Sequence, residues 1–422
     1  MTEPLSESLQ GAERLALLYR VSQAFNSSLD LDEVLNRVMD EVIAATRAER
    51  GFLMLPDAGG ALGFRAARGM DQRTIEAPEF QISRGLVDRV AREGQPVLTS
   101  DAQSDDSLKS RASVMLLGLR SVLCVPLQIK GMVLGVVYVD SRIRAGIFKQ
   151  ADLELLTAIA SSAAVAIENA RLYQVAVDKG RLERELQLAR DMQASLLPRE
   201  TPTIAGWEFA GHWRPAREVA GDFYDFIPLG GGQWSLVIAD VSDKGMAAAL
   251  FMALSRSIVR ASVTNNVWPV DGISHANRLI FADSANGMFV TMFYAQIDSE
   301  SGEVIYVNGG HNPPLWYRAA TGELTGLERT GMALGVFEAA PYKQHSAQLS
   351  AGDLILMYTD GVTDAIDAHG DRFGDERLRR FVLDHHDASA ADLVTALAQA
   401  IHEFTGEAMP FDDVTLVAVR RL

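Results

Sequence analysis

The sequence has 422 residues, 48% hydrophobic and 22% charged, which is the composition of a folded globular protein long enough for two or three domains. A net charge of −16, with no long Lys/Arg cluster to offset it, argues against a nucleic-acid partner, and the single cysteine, Cys124, excludes an internal disulfide or a cysteine-based zinc site. The start of the chain lacks the basic and apolar segments of a signal peptide and no run reaches about 18 uninterrupted apolar residues, so the expectation is a cytoplasmic protein with no membrane partner.

Residues 1–12 are polar and read as a flexible N-terminus. Leu15, Leu18, Val21 and Phe25 then recur at three- and four-residue steps, predicting an amphipathic helix over 12–26. Asn26, Ser27, Ser28 and Asp30 supply cap and turn chemistry before a second helix carrying Val34, Val38, Val42 and Ile43. GFLML from Gly51, VLCVPL from Val122 and MVLGVVYV from Met132 are short, β-branched runs bounded by turns. They read as strands, the last two joined as a hairpin.

From Lys149 the helical period returns, and between Ala160 and Leu197 only Gly180 interrupts it before Pro198. Leu172, Val175, Leu182, Leu186, Ala189 and Leu196 fall on a heptad-like seam if Lys179 and Gln193 are admitted to it. Two readings stay open: a helix packed on its own domain, and a coiled-coil linker joining two protomers of a homodimer. Strand-like runs resume at WSLVIAD, FVTMFYAQID, EVIYVN, LILMY and VTLVAV. Helical patterns cover Gly245 to Val263, Pro269 to Ala282, Asp375 to His385 and Ala391 to Phe404. Strands on both sides of a helix pair, without regular strand–helix alternation, predict the α+β class.

All eight histidines lie after residue 200, as do four aspartate clusters at turns. These are GDFYD (Asp222, Asp225), ADVSDKG (Asp240, Asp243), TDGVTD (Asp360, Asp364) and FDDVT (Asp412, Asp413). Carboxylates on neighbouring strand ends can converge, but their mutual repulsion then requires a cation between them. Oxygen-only ligands favour Mg²⁺ or Mn²⁺, and a pair of such ions can activate water and clamp a phosphoryl group. A single aspartate of this kind is ordinarily a turn or cap residue; it is the set that carries the inference.

The ordered motifs REVAGDFYDF, VIADVSDKGMAAAL, FVTMFYAQID, VNGGHNPPLW, LMYTDGVTDA and FDDVTLVAV resemble the metal-dependent serine/threonine protein phosphatases of the PPM superfamily, in the SpoIIE/RsbU-like branch. The resemblance implies a β-sandwich flanked by helices over residues 201–422, with two Mn²⁺ or Mg²⁺ ions. Carried over motif by motif, it makes Asp222, Asp240, Asp360 and Asp412 the catalytic metal ligands, adds the backbone carbonyl of Val241, and leaves Asp413 as support or second-choice ligand. It gives Arg217 to the substrate phosphate, against the plainer reading of a surface ion pair with Glu218. The sequence departs from the family at Asp243, a frequent glycine, and at Ser242, where some relatives carry a histidine acid. His311 is either a replacement acid or a buried structural residue beside a cis-prone proline turn.

SVLCVPLQIKGMVLGVVYVD and IFKQADLELLTAIASSAAVAIENARLY resemble a GAF domain, placed at residues 13–172, with a helical linker at 173–200. That family takes cyclic nucleotides, bilins, haem, other small molecules or no ligand. The absence of histidine argues against haem, and of the cyclic-nucleotide pattern only Phe148 and Asp152 are present. Together the two resemblances imply a sensor-regulated phosphatase acting on phosphoserine or phosphothreonine of a protein such as a STAS-type anti-sigma-factor antagonist. The alternatives are a non-catalytic partner-binding scaffold and a hydrolase of small phosphoesters.

Overall fold

The computed structural model describes residues 15–57, 59–71, 73–75, 82–99, 119–265, 267–284, 287–406 and 412–422. The segment expected to be a flexible N-terminus, 1–12, lies outside them. The chain divides into two compact units between Arg181 and Leu182.

In the first unit, residues 15–25 are helical, and the helix Leu31–Thr46 opens on Asp30, whose carboxylate accepts from the Glu33 N–H at 2.9 Å. Its buried face, with Val34, Val38, Val42 and Ile43, covers one side of a five-stranded antiparallel sheet. The strands are β1 (Arg50–Pro56), β2 (Leu62–Gly69), β3 (Val97–Thr99), β4 (Ser121–Ile129) and β5 (Met132–Ser141), in the order β2-β1-β5-β4-β3. The predicted hairpin is β4–β5. Lys130 and Gly131 both have positive φ, 48° and 86°, the two-residue turn that matches strand twist. The short helix Arg84–Glu93 covers the other face with Leu86, Val87 and Val90, and Cys124 is buried beneath it. Inside the sheet, Arg50 is 7% exposed and Asp140 fully buried. The guanidinium Nε donates to that carboxylate at 2.9 Å.

One helix of 47 residues covers Gln150–Leu196. Leu156, Ile159, Ala163 and Ile167 sit in the first unit's core, whereas Leu172, Val175 and Leu182 of the predicted seam are exposed. By length and composition alone, this helix and Met246–Thr264 could each cross a membrane, but the apolar residues of both include core positions of the two units.

The second unit is a sandwich of two antiparallel five-stranded sheets. The first contains β7 (Phe223–Gly230), β8 (Gln233–Val241), β9 (Val290–Asp298), β10 (Glu303–Gly309) and β13 (His345–Gln348), in the order β13-β10-β9-β8-β7. The second contains β6 (Trp207–Arg214), β11 (Leu315–Arg318), β12 (Glu323–Gly326), β14 (Leu354–Tyr358) and β15 (Val414–Arg421), in the order β12-β11-β14-β15-β6. Phe223, Ile238, Phe293 and Val307 join Ile355, Met357, Val417 and Val419 in one core cluster. The helices Met246–Thr264 and Pro269–Asp283 cover the first sheet, while Gly374–Asp384 and Ala390–Thr405 pack on the second. The expected sandwich flanked by helices is therefore what the chain forms. The strands absent from the sequence reading are the two edge pieces β2 and β3 in the first unit, and β6, β7, β11, β12 and β13 in the second.

Candidate functional site

Five of the predicted acids meet at one end of the sandwich. Asp222 immediately precedes β7 and Asp240 is the penultimate residue of β8, both in the first sheet. Asp360 opens a single helical turn after β14, and Asp412 and Asp413 precede β15, in the second sheet. The pocket thus lies across the seam between the sheets.

Asp222 is 2% exposed and belongs to both layers. Its Oδ2 accepts 2.7 Å hydrogen bonds from Thr359 Oγ1 and from Thr415 Oγ1, which stand in the second sheet's last two strands or at their ends. The Trp213 indole of β6 donates to its backbone oxygen at 3.0 Å. Asp413 has both carboxylate oxygens committed. Oδ1 accepts from the Ala216 N–H at 2.7 Å and Oδ2 from the Gly221 N–H at 2.8 Å, tying down the loop between β6 and β7. Gly361 is required by contact: a Cβ there would lie 1.9 Å from the Asp413 carbonyl oxygen. At Gly221 a Cβ would lie 3.2 Å from the Val241 carbonyl oxygen, so the two predicted ligand segments approach closely there.

The charges act on one another. Burial, followed by the charges of Asp240 and Asp413, pushes Asp222 well above the ordinary carboxylate range, against the opposing hydrogen bonds from Thr415 and Thr359. Asp240 is raised to about 7 by burial and then by Asp360 and Asp412. Asp360 is raised by burial, Asp412 and Asp364, against the pull of Lys244. Such a set holds protons, or cations in their place. The donor chemistry fits hard divalent ions. As the side chains stand, no three acids among the described residues close round a single point, and the Lys244 ammonium lies 2.8 Å from Asp412. The electrostatic coupling between the acids is long-ranged and persists through a change of rotamer.

The other predicted residues divide. Asp225 has opposite strand parity to Asp222 and faces the helix layer, where Arg256 meets it at 2.9 Å and Arg260 at 2.8 Å; it has no place in the pocket. Asp364 pairs with Arg372 at 2.8 Å beside Asp360. Asp243 stands at φ 70°, the left-handed conformation that a glycine adopts without strain and an aspartate tolerates. Ser242 exchanges two 2.9 Å hydrogen bonds with the backbone of Phe289, its N–H donating to the Phe289 oxygen and its Oγ accepting from the Phe289 N–H. Arg217 is exposed and forms no ion pair with Glu218 among the described residues. His311 is buried, and since no peptide among the described residues is cis, the expected cis turn beside it is absent.

Sequence reasoning missed Thr359, Thr415, Lys244 and Gln193. Thr359 and Thr415 were legible as polar residues inside otherwise apolar strand runs, LILMYT and VTLVAV. Gln193, admitted above to a coiled-coil seam, is 5% exposed within the second unit. Its Nε2 donates to Ala220 O at 2.8 Å and Ala249 O at 3.3 Å, and its Oε1 accepts from the Ala220 N–H at 3.1 Å. That part of the seam faces its own unit.

Comparison with known proteins bears on the two units as folds and families. Residues 230–422 match the family model for Stage II sporulation protein E (SpoIIE), and residues 28–168 match that for the GAF domain. The chain is 32% identical over 265 residues to Protein IcfG of Synechocystis sp., covering 56% of this chain and 41% of that protein. It is 27% identical over 240 residues to Phosphoserine phosphatase RsbU of Bacillus subtilis, covering 57% and 71%. The match thus spans about two fifths of the first of these relatives. Among solved structures, the SiaA-PP2C domain of Pseudomonas aeruginosa superposes with a TM-score of 0.52 at 19% identity, over 58% of this chain and 99% of that one, a likeness of fold.

Proposed function

We propose that this chain, which carries a GAF domain followed by a SpoIIE-type PP2C phosphatase domain, is a divalent-cation-dependent phosphatase of phosphoserine or phosphothreonine in a signalling protein. The observation that carries the reading is the placement of Asp222, Asp240, Asp360 and Asp412 at the strand ends of the two sheets, with burial and neighbouring carboxylates raising the proton affinity of the first three. Asp222, Asp240, Asp360, Asp412 and the Val241 carbonyl would hold two Mn²⁺ or Mg²⁺ ions, with Asp413 as a supporting tie. Bound there, such ions supply Lewis acidity toward phosphoryl oxygens and lower the pKa of water.

The chain's own residues set the geometry. Thr359 and Thr415 orient the Asp222 carboxylate from the opposite sheet, and Asp413 holds the loop that carries Arg217 and leads into Asp222. Arg217, exposed on that loop, offers a guanidinium fork to a phosphate oxygen pair. Position 242 is a serine, held to the Phe289 backbone, so no imidazole stands at that turn to protonate the leaving group. The substrate would be a phosphorylated STAS-type anti-sigma-factor antagonist. The GAF domain would regulate the rate through residues 173–200, with the exposed Leu172, Val175 and Leu182 as the homodimer seam.

The scaffold alternative draws on one observation, the Lys244 ammonium already paired with Asp412, which supplies a fixed positive charge where a cation would sit. Phosphate release from a phosphoserine protein, with and without Mn²⁺, separates the two. The phosphatase reading expects Mn²⁺-dependent turnover that falls at least about 100-fold in Asp240→Ala and Asp360→Ala. Turnover without Mn²⁺, or undiminished in both variants, would remove it. A parallel rate on a chromogenic ester tests the small-ester alternative, and deletion of residues 1–172 tests regulation.

A further inference from the structure

The GGHNPP turn carries a histidine that the chemistry above does not use. His311 is 1% exposed, and burial lowers its pKa to about 3, so the ring is neutral near pH 7. Its Nδ1 lies 2.9 Å from Thr291 Oγ1, and the same hydroxyl lies 3.5 Å from the backbone oxygen of Asp240. Strand register explains the meeting: Asp240 and Thr291 are directly opposed in β8 and β9, one step before Val241 pairs with Val290.

The turn that presents the ring is itself fixed. The His311 N–H donates to Asn308 Oδ1 at 2.8 Å, the Asn308 backbone carbonyl accepts from the Thr330 and Gly331 N–H groups at 3.0 Å, and Arg329 Nε donates to the His311 backbone carbonyl at 3.1 Å. Gly310 has φ +76°, and a Cβ there would lie 2.8 Å from the Ala333 nitrogen, so the chain passes this point only as glycine. The imidazole therefore has one position, and its 2.9 Å bond selects the rotamer of Thr291. At 3.5 Å the second link is at the limit of a hydrogen bond, so the constraint lies mainly in where the hydroxyl is held.

We propose that His311 and Thr291 are positioning residues for the carboxylate pocket: the imidazole holds the Thr291 hydroxyl against the Asp240 peptide, which sets the direction of the Asp240 side chain and of the Val241 carbonyl at the strand end. The inference rests on the reading of that pocket as a divalent-cation site. It assigns His311 no proton-transfer step and no contact with phosphate.

The test uses the full chain and the variants Thr291→Val, Thr291→Ser and His311→Gln. Three quantities are read: Mn²⁺ affinity by calorimetry without substrate, kcat and KM for the phosphoserine protein, and the urea midpoint. Loss of an outer partner of a ligand residue weakens metal binding by about 10-fold or more. Thr291→Val and His311→Gln are expected to bind Mn²⁺ about 10-fold more weakly with KM unchanged, while Thr291→Ser, which keeps the hydroxyl, stays within about twofold of the parent. Parental Mn²⁺ affinity in Thr291→Val overturns the proposal. So does a loss shared equally by Thr291→Ser and matched by a falling urea midpoint, which is the signature of packing alone. A parent chain that binds no Mn²⁺ overturns the metal reading underneath, and it is recognised before any variant is made.

Discussion

Truncating Gln193 to alanine should loosen the second unit at the loop that delivers Asp222. The side chain is buried, and its amide satisfies both the N–H and the C=O of Ala220, two residues before that aspartate, as well as donating to Ala249. Stranding a buried backbone group costs about 1–3 kcal/mol, so losing both partners of Ala220 gives about 2–6 kcal/mol. Admission of water beside the helix end draws the value toward the lower limit, about 2–3 kcal/mol. All five tryptophans (Trp207, Trp213, Trp234, Trp268 and Trp316) lie in the second unit, and Trp213 bonds to Asp222 itself, so fluorescence during urea unfolding reads this unit alone. With a urea slope of about 2–3 kcal/mol/M, the midpoint should fall by about 1 M. Gln193→Glu should be at least as damaging, because it sets a carboxylate oxygen against the Ala220 carbonyl. A midpoint shift under about 0.2 M in Gln193→Ala, with unchanged phosphatase rate, would refute the reasoning.

Three further outcomes follow from the same contacts. Asp412→Asn should weaken Mn²⁺ binding about 10-fold or more at nearly unchanged urea midpoint, whereas Asp413→Ala, which strands the Ala216 and Gly221 N–H groups, should lower stability by about 2–4 kcal/mol; the reverse pattern would make Asp413 the ligand. Because Asp240 holds its proton up to about pH 7 when no cation is bound, Mn²⁺ must displace that proton. Affinity should therefore strengthen from pH 6 to 8, by at most about tenfold per unit for each proton released, and calorimetry at pH 6.5 in two buffers of different ionisation enthalpy should detect the release. Arg50→Met leaves Asp140 buried without its guanidinium and should destabilise the first unit by about 3–5 kcal/mol, read by circular dichroism since that unit has no tryptophan.

Much of the second unit was legible because its central strands are long apolar runs that end in aspartate, and a strand end fixes where its last side chain can go. The edge strands were not. β12 and β13 carry four residues each and almost no continuous apolar face, so nothing local distinguishes them from turns. Within the site, Asp222 and Asp225 look alike in the sequence, and only strand parity sends one to the seam and the other to Arg256 and Arg260. Thr359 and Thr415 stand out as polar residues in apolar runs, but their role does not: their shared partner Asp222 lies 137 and 193 residues away, at the end of the other sheet. Gln193 was read as a polar interruption in an apolar seam, because a helical period shows which face a residue is on but not what lies opposite it.

The double clamp on Asp222 also constrains when the pocket can exist during synthesis. Its carboxylate leaves the ribosome early, while Thr415 and the Asp413 tie belong to the strand made last in this unit. Until that strand inserts between β14 and β6, the loop carrying Asp222 has neither tie nor orientation. A nascent or nicked unit lacking β15 therefore has neither the Asp413 ties nor the Thr415 bond to Asp222, and the final strand is the step that completes the acid cluster.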